Sequence, residues 1–282
     1  MNALILILIT LGISAQSVTK KAYNNKLHGG RFFFSAVTSF ISGALFLIMG
    51  IKGFSVDLEL VLYSFCFAVF FGMGLIFSFL AIASGPLSLT SLISSFSLLI
   101  PTFYGLIFLD EQIGSFFFIG LGLLAASLIL INTKKDNTTA SLKWAIFVIL
   151  SFIGNGTSAT VQKMQQIAYE GYNKNEFMCI ALFFTAIFFT IMTFAKEKQH
   201  IKQNARSGWG AMLICGAANC FGNLLLMILS NSMPASIMFP LISAGGIILS
   251  TMVSIFIYKE KLSSPQFIGL IFGIGSVIFL NI

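Results

Sequence analysis

Long apolar runs separated by short polar links dominate this chain of 282 residues. Ten runs can be marked, at about 2–19, 32–50, 60–82, 87–108, 113–132, 142–163, 176–195, 207–229, 234–257 and 264–281. Each is close to the roughly 20 residues that a helix needs to cross a hydrocarbon core about 30 Å thick. Helices are required, because irregular backbone facing lipid would leave amide groups unpaired. The links carry turn formers and charge. Gly85 and Pro86 part the third and fourth runs, Ser232, Met233 and Pro234 part the eighth and ninth, and Lys134 to Asn137 mark the middle of the chain.

The pattern repeats. Phe118, Ile119, Gly120 and Leu121, followed by Ser127, Ile129 and Asn132, recur 149 residues later as Phe267, Ile268, Gly269 and Leu270, followed by Ser276, Ile278 and Asn281. Glu111 recurs as Glu260 at the same offset. Gly74, Pro86 and Ser88 find echoes in Gly222, Pro234 and Ser236, and Val18 and Lys20 in Val161 and Lys163. An ordered series of matches predicts two copies of one unit, residues 1–133 and 140–282. Five spans per copy force the second to enter the membrane from the opposite side. The predicted fold class is therefore all-α and integral to the membrane: ten transmembrane helices as two inverted five-helix repeats. Such repeats offer two near-equivalent states, one open to each side, and are a frequent basis of alternating access.

Composition strengthens the reading. Apolar residues make up 57% and charged residues 9%, against about 25% charged in soluble domains. No charge occurs between Glu59 and Asp110 or between Arg206 and Lys259. The first eleven residues lack the basic start of a cleaved signal. Cys66, Cys179, Cys215 and Cys220 all lie in apolar runs, which suits core or lipid-facing thiols. The net charge of +7 is spread over short links, a pattern of membrane orientation rather than of nucleic-acid binding. Thirteen of the sixteen Lys and Arg fall on one set of alternate links, and only Lys52, Lys163 and Lys174 on the other. The positive-inside rule puts the thirteen in the cytoplasm and both termini outside.

Residues 85–132 and 233–281 carry a family likeness. In each, a helix ends near an acid (Glu111, Glu260), a polar turn follows, and a Gly-rich span opens with Gly120 or Gly269. Arg31 followed by Phe32 is similar to the basic-aromatic start of that family's second span. The chain thus resembles the drug/metabolite transporter superfamily in its EamA-like, ten-helix branch. The resemblance implies a basket of ten helices in a cell inner (plasma) membrane, of bacterial type, with spans 1–4 and 6–9 lining a pathway and spans 5 and 10 peripheral. It implies movement of small metabolites or drugs, more often outward. One departure stands out: the four-span multidrug exporters of the superfamily use a glutamate in their first span, and no acid lies in span one or six here.

Polar groups within spans are costly and mark pathways or helix–helix bonds. Ser14 and Gln16 in span one, Asn155 and Thr157 in span six, and Asn219 with Asn223 one turn apart in span eight are the candidates. Lys20 and Lys163 occupy equivalent positions, suited to a pathway mouth or to snorkelling. Tyr104 is the tyrosine well inside a span and is added as a substrate contact. Pro101 and Pro240, with the permissive pair Gly245 and Gly246, are candidate hinges. Gly120 and Gly269 suit close helix packing. Glu111 and Glu260 are expected at interfacial turns, pairing with Lys261 or capping the next helix. Trp144 and Trp209 each begin a span, as interfacial anchors do.

These features point to a secondary transporter of a small organic solute (an amino acid, amine, nucleoside-like or drug-like molecule) with no cofactor. No nucleotide-binding loop is present, so a coupling proton or counter-solute is the expected drive, and facilitated diffusion, exchange or import is the alternative. A channel lacks its pore-loop motif. An intramembrane enzyme would need a cluster of His, Asp or Ser at one depth, yet His28 and His200 both lie in links. Monomer and homodimer are both compatible with the pattern.

Overall fold

The computed structural model describes residues 2–26, 30–84, 90, 93–112, 114–131, 141–256 and 263–280. Calls on Pro86, Ser88, Lys134, Lys259, Glu260 and Lys261 therefore lie outside the described residues, as do Asn132 and Asn281. Among the described residues the main α-helices follow in order: α1 (Asn2–Lys26), α2 (Arg31–Gly50), α3 (Leu58–Ser84), α4 (Leu99–Phe108), α5 (Phe117–Ile131), α6 (Leu142–Ala168), α7 (Lys174–Lys196), α8 (Ile201–Ser232), α9 (Ala235–Phe256) and α10 (Ser264–Leu280). Five of them, α2, α3, α6, α7 and α8, are long and apolar enough to cross a membrane by length and composition. The other five hold shorter apolar stretches of 10–17 residues. No strand occurs among the described residues.

The closest packing runs between the halves of the chain. α3 lies along α6, α2 along α7, α1 along α8, and α5 along α10. α2 also meets α8 as α7 meets α3, and α1 meets α9 as α6 meets α4. Most of these contacts keep their form when each helix is exchanged for its counterpart five places on.

Lipid tails are as apolar as leucine, so helices in a bilayer associate through close van der Waals fit and small residues rather than through water exclusion. The repeated glycines serve this. A side chain at Gly120 would meet Leu280, and one at Gly269 would meet Leu130 and Ile131. Ser127 Oγ donates to the Gly269 carbonyl at 2.6 Å. The paired Phe–Ile–Gly stretches thus build the crossing of α5 with α10. A second crossing, α3 on α6, brings Gly74 against Gly154 with no room for a Cβ.

Tight apolar clusters fill the remaining space. Phe46, Phe67, Phe177, Met178 and Met227 join α2, α3, α7 and α8. Ile9, Leu229, Met238 and Phe239 join α1, α8 and α9. Phe108, Ile48 and Leu58 face outward, 71%, 66% and 76% exposed, as side chains in lipid contact would be. Cys179, Cys215 and Cys220 are buried and Cys66 is exposed, all as free thiols.

Trp144 departs from expectation. It is only 7% exposed. Its indole N–H donates to Thr90 Oγ1 at 2.9 Å, and its backbone N–H to the N-capping Ser141 Oγ at 3.1 Å. A polar partner inside the fold satisfies the indole, so no headgroup is needed. Trp209, 62% exposed, keeps the geometry of an interfacial residue.

Candidate functional site

Four helices converge on a chain of neutral amides. Gln16 projects from α1, Ser42 from α2, Gln162 from α6, and Asn219 and Asn223 from one face of α8. Asn219 Nδ2 donates to Gln16 Oε1 at 3.3 Å, and Ser42 Oγ donates to Asn219 Oδ1 at 3.0 Å. Asn223 Nδ2 donates to the Asn219 carbonyl at 2.9 Å and to its Oδ1 at 3.2 Å. Gln162 Nε2 completes the chain to Asn223 Oδ1 at 3.5 Å. The spacing of four residues puts the two asparagines one turn apart, and Gly222 leaves room beside Gln16.

The chain ends unevenly. Its α1 end carries the Gln16 amide N–H groups, and its α6 end the Gln162 side-chain carbonyl; neither group has a protein partner among the described residues. Gln16, Asn219 and Asn223 are half-buried, while Ser42 is fully buried. The arrangement therefore presents a donor and an acceptor from opposite halves of the chain, with no carboxylate bonded to any member among the described residues.

Asn155 is placed elsewhere. Its Nδ2 donates to Ser151 Oγ at 3.3 Å, and Ser151 Oγ donates to the Gly74 carbonyl at 3.1 Å. It therefore locks the α3–α6 crossing. Thr157 is half-buried and Ser14 is buried, neither bonded to the amide chain. Tyr104 stacks on Phe108, with ring centroids 5.4 Å apart. Lys20 is exposed.

Lys163 is 5% exposed and does not snorkel. Its ammonium donates to the carbonyls of Ser230 at 2.5 Å and Met233 at 2.9 Å, at the C-terminal end of α8. These are carbonyls without intrahelical partners, at the negative end of the helix dipole. Two residues on, Glu111 accepts from the backbone N–H groups of Ala235 and Ser236 at 2.7 Å each, at the positive end of α9. Glu111 thus caps a helix 124 residues away, because α4 packs on α9. One tight turn is clamped by a cation on one side and an anion on the other.

The clamp continues along that face. Gly171, in the left-handed region at φ +81°, lies against Asn231. Asn173 Nδ2 donates to Ser55 Oγ at 2.9 Å, and the Tyr169 hydroxyl to Asp57 Oδ1 at 2.6 Å. That bond and the Leu60 N–H hold the Asp57 carboxyl below the ordinary carboxylate range, and burial with the Asp57 charge pushes the Tyr169 phenol up. The α2–α3, α4–α5, α6–α7 and α8–α9 links are thereby tied to one another. At the other face, Glu197 accepts from the N–H groups of Arg31, Phe32 and Phe33 at 3.0–3.1 Å and caps α2.

The hinge candidates differ. At Pro101 the helix tightens to a 3₁₀ turn over Phe96–Leu98 before α4 begins. The Ser97 carbonyl, which a residue other than proline at 101 would engage, lies instead against Gly156 of α6. α9 runs through Pro240 without a break. Gly245 packs on Thr10, and Gly246 faces open space.

The EamA-like transporter family model matches residues 142–282. The chain belongs to the EamA-like transporter family. That family is part of the drug/metabolite transporter superfamily, a superfamily of membrane transporters. The chain is also similar to a crystal structure described only as "Crystal structure of protein", with TM-score 0.81 and 13% identity over 99% of this chain and 95% of that one. At that identity the likeness concerns the fold. No curated protein matches the sequence. Among the described residues, no group of three or more His, Cys, Asp and Glu could hold a metal.

Gln162, Ser42 and Glu197 belong to these networks without being among the candidates that the sequence offers. Gln162 carried a signal, since an amide within a span needs a partner. Ser42 carried none, because a serine in a span usually satisfies its own helix.

Proposed function

We propose that this EamA-like protein is a secondary transporter of the inner (plasma) membrane that carries a small neutral or zwitterionic solute by alternating access, in the export direction. The amide chain carries the reading: it joins α1 and α2 to α6 and α8 and ends in a donor on one half and an acceptor on the other. A solute with its own donor and acceptor, such as an amino acid or nucleoside-like molecule, would bridge the two ends. No charge is bonded to the amide chain among the described residues, which favours solutes without net charge, because an unpaired ion there would meet only dipoles.

The exchange-symmetric packing supports ten spans in two inverted repeats, residues 1–133 and 140–282. Rocking of one half against the other would break and remake neutral hydrogen bonds, each worth little. Pro101, where a 3₁₀ turn gives way to α4 and the proline removes a helical hydrogen bond, is the favoured hinge. Because no acid touches the amide chain among the described residues, exchange against a counter-solute is the second reading of the drive.

Purified protein in liposomes, loaded with panels of amino acids, amines, nucleosides and sugars, tests the proposal by counterflow. A neutral or zwitterionic solute should move and should stabilise the protein on heating. Gln16→Ala and Asn219→Ala should lower its uptake at least about tenfold, the loss of some 1.4 kcal/mol of binding. Absence of movement across the whole panel, beside a working control transporter, would refute it.

A further inference from the structure

An apolar groove of about 610 Å³ opens on the outer surface between α2, α7 and the start of α8. Small residues leave room for it: Ala36 and Ala186 both line it, with the Phe40–Phe183 pair, whose rings meet edge to face 5.6 Å apart. Ile187, Ile191 and Phe194 on its rim are 58%, 62% and 59% exposed. Its polar groups are already engaged. Thr190 and Thr193 donate to the carbonyls of Ala186 and Phe189 in their own helix, both at 2.7 Å. A polar solute would find no free donor there; an alkyl chain needs none.

The end of the groove is basic. Phe194 and Ile201 line it, and Lys196, Lys198 and Lys202 stand beside them in sequence, all exposed. None of the three has an ion-pair partner among the described residues. The nearby acid, Glu197, is spent on capping α2. Arg31 is turned away, its guanidinium over the Phe79 ring of α3 at 5.7 Å. Clusters of Lys beside a membrane helix attract anionic headgroups.

We propose that this groove is a binding site for one anionic phospholipid of the surrounding bilayer, an acyl chain lying in the cleft and the phosphate seated among Lys196, Lys198 and Lys202. The chain chemistry alone would admit any phospholipid; the lysines make the choice.

The test exchanges purified full-length protein in mild detergent against phosphatidylglycerol or phosphatidylcholine and counts retained lipid by native mass spectrometry. Phosphatidylglycerol should be held about tenfold better. Lys196→Gln, Lys198→Gln and Lys202→Gln together should bring the two lipids level while leaving the cleft intact. Thr190→Phe should fill the cleft and strip both lipids, and Thr190→Leu serves as a milder plug if the larger one fails to fold. Equal retention of the two lipids by the unaltered protein would overturn the site. So would phosphatidylglycerol binding undisturbed by a folded plug variant, or a two-copy complex that the plug separates.

Discussion

The turn between α8 and α9 and the amide chain within the bundle solve the same problem by different means. Both must satisfy polar groups away from water. The turn uses full charges: Lys163 on the last carbonyls of α8 and Glu111 on the first N–H groups of α9. The amide chain uses only neutral groups. A charge-assisted bond is worth about 1.5–3 kcal/mol and a neutral one about 0.5–1.5. The turn is therefore the firmer of the two, and under the proposed transport cycle the amide chain is the part that exchanges partners.

The comparison breaks first at Lys163. Lys163→Met keeps the volume and leaves the Ser230 and Met233 carbonyls unsatisfied, at a cost of about 3 kcal/mol. Thermal unfolding in detergent should show the largest fall of any variant considered. A fall no greater than that of Asn219→Ala would show that charge is not what holds the turn. Glu111→Gln comes next. An amide can accept from only one of the two N–H groups cleanly and gives up its dipole partner, at about 1–2 kcal/mol.

Asn219→Ala sharpens the other side. Interhelical hydrogen bonds in membranes average about 0.6 kcal/mol, so unfolding should shift little while counterflow falls sharply. A variant that loses stability and transport in proportion would make the amide chain a brace rather than a pathway. Asn155→Ala is the control: its partner is the α3–α6 crossing, so transport should track stability.

The legible and illegible parts divide along the same line. Helix positions, the glycines of the α5–α10 crossing and the asparagine pair could be read because they are local or periodic features. The partner of Glu111 could not. Its acid position was visible, but the helix it caps lies in the other half, and only the packing of α4 on α9 brings them together. Lys163 was ambiguous for a related reason: a lysine near a helix end snorkels unless orphan carbonyls lie within reach, and those belong to α8. Trp144 read as an anchor because sequence shows a span edge and not Thr90 behind it.

The smallest effect lies at Asp57, on the same face as the clamp but in the open. Its carboxylate accepts from the Tyr169 hydroxyl and the Leu60 N–H and is held below the ordinary carboxylate range. A carboxyl depressed in the folded state contributes stability above its unfolded pKa and loses it as pH falls through the folded one. Apparent melting temperature should therefore decline as the medium is taken from about pH 5 to pH 3, and Asp57→Asn should remove that part of the decline. At neutral pH the same variant should shift melting far less than Lys163→Met, because water screens an exposed charge. Equal shifts for the two variants would mean that burial does not set the strength of this face. Unequal ones would place its rigidity where a single buried ammonium meets the end of α8.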